Sequence, residues 1–196
     1  MTVSSPFLDG ICRYFPETGY SNTKAVLEAV ARRARDSKIK KVVVGTCSGR
    51  TAIKARKMLD AGLQIIAVTH VTGFYEPDSQ ELKEENRREL LASGVEVLTC
   101  AHAFGGVGRG FRNKTGTYQI DEVMAYTLRM FGQGTKVAVE IALMAADAGL
   151  IRTDEDIISI GGTKTGADTA LVVKPSTSAQ CFDLKIREVI CKPVNL

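Results

Sequence analysis

The stretch that decides the fold is residues 41–51, which read Lys-Val-Val-Val-Gly-Thr-Cys-Ser-Gly-Arg-Thr. Residues 42–44 are an unbroken run of β-branched side chains, which is typical of a strand buried on both faces. A turn of small and hydroxyl-bearing residues follows, and apolar residues spaced by three and four then predict a helix that ends near Gly62. A buried strand that passes through a short turn into a helix is the unit of a parallel α/β sheet.

The same alternation of strand and helix recurs along the chain. Further strands are predicted at 64–69, 95–99, 156–160 and 169–174, and helices near 24–35, 79–92, 120–131 and 137–148. Residues 182–187 alternate apolar and charged, which favours an edge strand that runs antiparallel. Because no linker or internal repeat interrupts this order, we expect residues 1–196 to form one three-layer α/β/α domain with a mostly parallel sheet.

Length and composition exclude several classes of protein. The chain has 196 residues and a net charge of +4, and it is shorter than a (β/α)8 barrel of about 250 residues. It shows no apolar run long enough to span a membrane and no secretory signal pattern, and its five cysteines include no C-x-x-C pair. We therefore expect a cytoplasmic protein without a membrane partner.

Neither charge nor aromatic content favours a nucleic-acid partner. Residues 1–62 hold twelve Lys and Arg against five Asp and Glu, and this excess is interpreted as a solvated helix surface. Aromatic residues make up 6% of the chain and do not interleave with the basic ones, which argues against a base-stacking platform.

The turn from Gly45 to Thr51 is the first candidate site. Small residues let backbone N–H groups converge, the start of a helix adds positive potential, and Arg50 can pair with phosphate oxygens. The glycine spacing differs from that of a Walker P-loop, in which a lysine also stands where Arg50 does. The sequence predicts an anion site here, and a purely structural turn is the alternative.

A second small-residue loop spans 161–169 and reads Gly-Gly-Thr-Lys-Thr-Gly-Ala-Asp-Thr. Its glycines permit close backbone approach, and Asp168 can accept a hydrogen bond from a sugar hydroxyl or a ring N–H of a ligand. The alternative is that Asp168 only fixes the turn. Both loops are expected at the carboxyl ends of strands, where open α/β sheets bind ligands.

Other strand ends carry His70, Cys100 and His102. With Cys47 they form a set of soft metal ligands, but no spacing is diagnostic, so no metal is predicted. Cys47 at a helix start is also a candidate nucleophile with a lowered pKa, against the simpler interpretation of a space-filling residue. Glu140, alone on an apolar helix, is expected to pair internally.

Residues 101–119 are rich in glycine and lack periodicity, while Arg109, Arg112 and Lys114 give the segment positive charge. Long loops in compact domains are often functional. We therefore expect a lid without regular structure, ordered by a ligand or by a partner subunit.

Three stretches carry a family resemblance. Residues 42–51 (VVVGTCSGRT), 161–175 (GGTKTGADTALVVKP) and 182–193 (FDLKIREVICKP) resemble stand-alone archaeal-type proteins related to the pyruvate kinase C-terminal domain. The resemblance implies a three-layer α/β/α fold with a mixed sheet whose last strand is antiparallel. It does not imply pyruvate kinase activity, because that chemistry resides in a barrel domain. In the kinase, the corresponding domain hosts an effector phosphate site, and proteins similar to this one are associated with flavin mononucleotide.

We therefore expect a protein that binds a phosphorylated small molecule, with flavin mononucleotide (FMN) as the leading candidate. Whether the protein also catalyses a redox reaction is left open at this point. The alternatives are a non-catalytic sensor of a sugar phosphate or nucleotide and, more weakly, a nucleic-acid binder; a homo-oligomer is compatible with either. The predicted ligand-binding residues are Thr46, Cys47, Ser48, Gly49, Arg50, Thr51, Thr69, His70, Thr72, Gly73, Gly105, Gly106, Gly161, Gly162, Thr163, Gly166, Asp168 and Thr169.

Overall fold

The computed structural model describes residues 9–195, which form a sheet flanked by helices on both faces. The strands are β1 (Arg13–Phe15), β2 (Lys41–Gly45), β3 (Gln64–Val68), β4 (Glu96–Leu98), β5 (Ile157–Gly161), β6 (Thr169–Lys174) and β7 (Lys185–Pro193). The α-helices are α1 (Thr23–Ser37), α2 (Arg50–Met58), α3 (Glu84–Ala92), α4 (Val107–Thr115), α5 (Ile120–Arg129) and α6 (Gln133–Asp147).

The sheet has the order β1-β7-β6-β5-β2-β3-β4 and is mostly parallel, as the sequence predicts. Its antiparallel part lies toward one edge, where β6 pairs antiparallel with both β5 and β7. Strand β1, which the sequence pattern did not reveal, pairs in parallel with β7 only at residues 191–193. Within the described residues, the alternating first half of β7 therefore stays at the edge.

Each central strand contributes to two cores. In β2, Val42 and Val44 pack with the side chains of α1, α2 and α3, whereas Val43 points to the opposite core with α6. Strands β3 and β5 alternate in the same way. This two-sided burial explains why the strands are continuous β-branched runs, and it confirms the three-layer α/β/α architecture.

Helix α6 is the most buried helix, as its apolar sequence predicts, with twelve of its fifteen residues buried. It lies unusually close to the sheet because two glycines face each other. A Cβ atom added to Gly161 would come within 2.1 Å of the backbone oxygen of Gly134. This close approach sets the position of α6 behind the ends of β2 and β5.

The prediction of an unstructured segment at 101–119 is wrong, because residues 107–115 form α4. A Cβ atom at Gly108 would lie 2.4 Å from Oδ1 of Asp121, so this glycine permits close packing of α4 on α5. Gly116, at φ +76°, ends the helix in the left-handed region. Glycine here shapes a helix–helix contact rather than preventing a helix.

One smaller boundary also differs from expectation. Helix α3 begins at Glu84, not near Ser79, because residues 73–79 form a turn closed by a hydrogen bond from the Gly73 N–H to the Ser79 carbonyl at 2.9 Å. Among the helices of residues 9–195, none combines the length and apolar character needed to cross a bilayer.

Candidate functional site

A cavity of about 570 Å³ opens at the carboxyl ends of β2 and β3, beside Gly45 and Val68. One wall is the turn after β2, another is the β5–β6 turn, and α6 contributes apolar and charged side chains. The two predicted loops therefore lie side by side. The volume is in the range of small-molecule sites, roughly 300–1,000 Å³.

More than half of the predicted ligand-binding residues line this cavity. They are Thr46, Cys47, Ser48, Arg50, Thr51, Thr69, His70, Gly162, Thr163 and Gly166. The others lie behind the walls or outside them. They are Gly49, Thr72, Gly73, Gly105, Gly106, Gly161, Asp168 and Thr169.

The turn between β2 and α2 has unused donors. The Thr46 N–H donates to the Val68 carbonyl at 2.9 Å, which fixes the turn to the neighbouring strand. The Thr46 side chain is 6% exposed, and its Oγ1 has no hydrogen-bond partner in the described part of the chain. Among residues 9–195, no side chain caps the first turn of α2, whose N-cap is Gly49. A buried hydroxyl and the N–H groups of a helix start thus face a cavity together.

Gly49 has a structural role different from the one expected. Its φ is +88°, which favours glycine, and an added Cβ would lie 2.7 Å from Cδ1 of Leu82 and 3.1 Å from Cβ of Asn86. A side chain here would therefore collide with the segment before α3 and α3 itself. Gly49, which the sequence predicts to bind the ligand, therefore leaves room for that packing and does not line the cavity.

Asp168 lies fully buried beneath the β5–β6 turn. Its carboxylate accepts hydrogen bonds from the N–H groups of Gly19 and Thr163, each at 3.0 Å, and from the Thr169 hydroxyl at 2.9 Å. Of the two interpretations weighed from the sequence, these contacts favour a residue that fixes the turn. Lys164, at φ +61° in the same turn, lines the cavity.

The glycines of the other loops support neighbouring groups. Gly73 adopts φ +82° in the turn before α3. Gly105 leaves room for Arg109, whose Nη2 would lie 2.6 Å from an added Cβ. Arg109 itself lines the cavity, so the glycine-rich segment contributes a cation rather than its backbone.

Cys47, His70 and Glu81 form a chain of contacts at the cavity wall. Cys47 Sγ lies 3.3 Å from His70 Nε2, and His70 Nδ1 lies 3.1 Å from Glu81 Oε1. Burial, with a smaller contribution from Glu81, raises the pKa of Cys47 to about 11, which is opposite to the lowered thiol pKa of the nucleophile alternative weighed from the sequence. Within residues 9–195, no group of three or more Cys, His, Asp or Glu side chains is arranged to hold a metal ion.

An aromatic cluster covers the same wall. The Phe74 ring stacks on His70 at 4.1 Å and on His102 at 5.2 Å, and Tyr75 packs edge-on against Phe74 at 4.8 Å. Arg109 lies 5.1 Å from the Phe74 ring centre. Low aromatic content argued against a stacking platform, but the fold brings two aromatic rings, Phe74 and Tyr75, together with two histidines here.

Helix α6 places a buried ion pair at the cavity. Lys136 Nζ donates to Glu140 Oε2 at 2.5 Å, and Glu140 Oε1 accepts from the Phe104 N–H at 3.1 Å. Burial lowers the pKa of Lys136, and that of His102 falls to about 4, also chiefly through burial. The expected internal pairing of Glu140 is confirmed.

The cavity is electropositive. Arg50, Arg109, Arg129, Lys136 and Lys164 line it, against the single carboxylate of Glu140. Only Glu140 and Lys136 neutralise each other directly. The arrangement therefore suits a ligand with more than one negative charge.

Sequence reasoning missed several residues of the wall, among them Phe74 and Lys136, and it missed Glu81, which contacts His70 from outside the lining. Phe74 sits in a segment without a clear pattern, Glu81 falls in a predicted surface helix, and Lys136 comes just before the apolar run of α6. Only the contact of Lys136 with Glu140, at the i, i+4 spacing of a helix, had a signal in the sequence.

Comparison with known proteins supports the family resemblance. The family profile described as "Pyruvate kinase, alpha/beta domain" matches residues 24–173. The chain belongs to this family. Solved structures similar to this domain include a pyruvate kinase from Cryptosporidium parvum (18% identity, TM-score 0.43), with coverage of 79% of this chain and 23% of that one. Another is the Cryptosporidium parvum pyruvate kinase in complex with ADP (19% identity, TM-score 0.40), with coverage of 76% and 22%. The pyruvate kinase alpha/beta domain seen here thus spans less than a quarter of the length of those kinases.

Proposed function

We propose that this domain binds a phosphorylated small molecule in the cavity, and that the ligand is FMN. The observation that carries the proposal is the buried hydroxyl of Thr46, which has no partner within residues 9–195. It lies in the turn before the start of α2, in a cavity with an excess of cationic side chains. A buried hydroxyl without a partner is costly unless a ligand satisfies it. A phosphate held by Thr46, Ser48 and Arg50 would do so.

The rest of the cavity suits a flat, partly apolar ring system. Phe74 and Tyr75 on one wall, and Val137, Ile141 and Met144 of α6, offer apolar surface to an isoalloxazine ring. Polar groups of the β5–β6 turn, such as the Thr163 hydroxyl, can bind the ribityl hydroxyls. The residues present therefore fit the cofactor at its phosphate, its chain and its ring.

When bound, a flavin supplies one- and two-electron transfer. The chain's own residues would orient it and, through Arg109 and Lys164, favour an anionic partner molecule next to it. The proposal includes a redox role for the bound flavin and a cytoplasmic location. Self-association of the protein is a separate prediction. Five free cysteines are consistent with a reducing compartment.

A sensor of a sugar phosphate is the second candidate, because the same phosphate site and hydroxyl-rich turn would serve it. Thermal unfolding of the ligand-depleted protein with FMN, riboflavin and ribose 5-phosphate distinguishes the two. Stabilisation grows with the logarithm of ligand concentration over Kd. We expect a large shift with FMN and a small one with riboflavin. If ribose 5-phosphate stabilises the protein and FMN does not, the flavin proposal is wrong and the sensor is favoured.

A further inference from the structure

The chain of contacts from Cys47 through His70 to Glu81 has no role in the binding proposed above. A carboxylate only accepts hydrogen bonds, so Glu81 Oε1, 3.1 Å from His70 Nδ1, fixes the proton of the neutral imidazole on Nδ1. Nε2 is then the acceptor, and it faces the Cys47 thiol at 3.3 Å. Nucleophile, base and orienting carboxylate thus stand in the order that thiol-dependent catalysis requires.

The surroundings determine how such a thiol can act. The Cys47 thiol is protonated at neutral pH because burial raises its pKa to about 11. An isolated thiol of this kind would be inert, so its reactivity depends on a base that removes the proton during attack. The only base in contact with Sγ among the described residues is His70. Both side chains line the cavity, where a small molecule can reach them.

We propose that Cys47 is a nucleophile that His70 activates and Glu81 orients, and that it attacks anionic compounds with an electrophilic carbon. In the step, a bond forms between Sγ and that carbon while the carbon's bond to its leaving group breaks. The leaving group departs with that electron pair, and the thiol proton passes to His70 Nε2. The preference for anions follows from Arg50, Arg109 and Lys164 around the same cavity.

The Cys47–His70–Glu81 arrangement does not resemble a metal site. The two ring nitrogens of His70 point in opposite directions, one toward Cys47 and the other toward Glu81. One ion cannot therefore be bound by all three residues. A proton relay through the ring is the chemistry that this geometry permits.

Alkylation of the full chain, without added flavin or phosphate, tests the proposal. Iodoacetate and iodoacetamide react with the same loss of iodide but differ in charge, and peptide mass spectrometry follows each cysteine separately. Cys181, half-buried and outside the cavity, is the internal reference. We expect the ratio of the iodoacetate rate to the iodoacetamide rate to be several-fold higher at Cys47 than at Cys181.

His70→Ala should slow alkylation of Cys47 by about 100-fold, the usual contribution of a general base, and free imidazole should restore part of the rate. Glu81→Gln should slow it by no more than the same factor, because it removes only the carboxylate that holds the His70 tautomer. Glu85→Gln is the matched control, because Glu85 is exposed on α3 and should leave the rate unchanged. A purely structural role of His70 would not respond to imidazole.

Alkylation of the buried Cys191 reports unfolding in each variant. If Cys191 becomes reactive in His70→Ala, that variant has unfolded. The Cys47 rate is then measured in His70→Gln, whose side chain fills the site but cannot take up the proton. Equal Cys47 rates in the parent and the folded His70 variant would overturn the proposal, as would an equal reagent ratio at Cys47 and Cys181. Failure of FMN to bind would leave these rates untouched, so the two proposals fail separately.

Discussion

The carboxylate of Asp168 accepts a hydrogen bond from the backbone N–H of Gly19 at 3.0 Å, across 149 residues of chain. Gly19 lies in the segment between β1 and α1, whereas Asp168 lies between β5 and β6. The same carboxylate also holds the Thr163 N–H of the cavity wall. One buried side chain therefore joins the start of the domain to the turn that faces the ligand cavity.

Asp168→Ala should destabilise the ligand-free protein. The substitution leaves two backbone N–H groups and one hydroxyl without an acceptor, which corresponds to about 3–5 kcal/mol of unfolding free energy. Asp168→Asn keeps one acceptor oxygen and should cost less. Urea unfolding of the three proteins measures the difference. A variant with normal stability but weakened ligand binding would instead return Asp168 to the ligand site.

Gly161→Ala should be among the most damaging single substitutions in the domain. Its new Cβ would meet the backbone of α6, with the Gly134 oxygen at 2.1 Å and the Ala138 nitrogen at 2.9 Å. Backbone cannot move aside as a flexible side chain can, so we expect a loss of about 3 kcal/mol or more. Thermal unfolding followed by circular dichroism measures the effect.

Gly110→Ala is the matched control. Gly110 lies within α4, and an added Cβ would meet no atom within 4 Å. Alanine in a helix interior is favoured over glycine by about 0.5–1 kcal/mol, so this variant should be slightly more stable than the parent. If both alanines behaved alike, the close approach of α6 to β5 would be wrong.

These glycines show what sequence reasoning could and could not supply. Local patterns predicted much of this region: the run 42–44 indicated the strand, and the turn 45–51 indicated the start of the helix and the edge of the sheet where the cavity lies. These predictions were possible because burial periodicity and turn chemistry depend on residues close in sequence. The role of Gly161 depends on Gly134, and that of Gly49 on Leu82, which are distant in sequence. Such contacts have no local pattern.

The aromatic wall and the relay were unpredictable for the same reason. His70 has no acidic or basic residue within five positions in the sequence, and Glu81 lies in a charged segment that resembles any solvated helix. Only the turn between β3 and α3 brings Phe74 and Glu81 against the His70 ring. The sequence therefore located the site but could not reveal which side chains complete it.

His102 should make stability depend on pH. Its pKa falls from 6.5 to about 4, and burial is the main cause. Its Nε2 accepts a hydrogen bond from the Val71 N–H at 3.3 Å. Since the native pKa is below that of the unfolded chain, the unfolded state binds more protons between these values. This contribution, at most about 3 kcal/mol, should be complete above pH 6.5 and lost as the pH falls toward 4. Urea unfolding at several pH values gives the unfolding free energy as a function of pH. Between pH 4 and 6.5 this free energy should change less with pH for His102→Gln than for the parent.

Helix α4 is expected to move when the cavity fills. It contains no buried residue, yet its Arg109 lines the cavity. Segments with little buried surface open at low free energy. Amide hydrogen exchange of residues 107–115 should slow when FMN is added, while exchange in α6 should not change. Equal protection of α4 with and without FMN would contradict a lid.

Arg50→Ala tests the phosphate site most directly. Arg50 is exposed at the first position of α2, and within the described part of the chain its Nε donates only to Ser48 Oγ, at 3.3 Å, so its removal should leave stability nearly unchanged. Loss of a charge-assisted contact should weaken FMN binding by about 1.5–3 kcal/mol, or roughly 10- to 150-fold. Riboflavin has no phosphate, so its weaker binding should change little. Fluorescence titration of both flavins against the parent and Arg50→Ala measures this, with Lys57→Ala, an exposed cation on the same helix but outside the cavity, as the control. Equal weakening of both flavins would show that Arg50 supports the ring or the fold, and the phosphate would then have to lie elsewhere in the cavity.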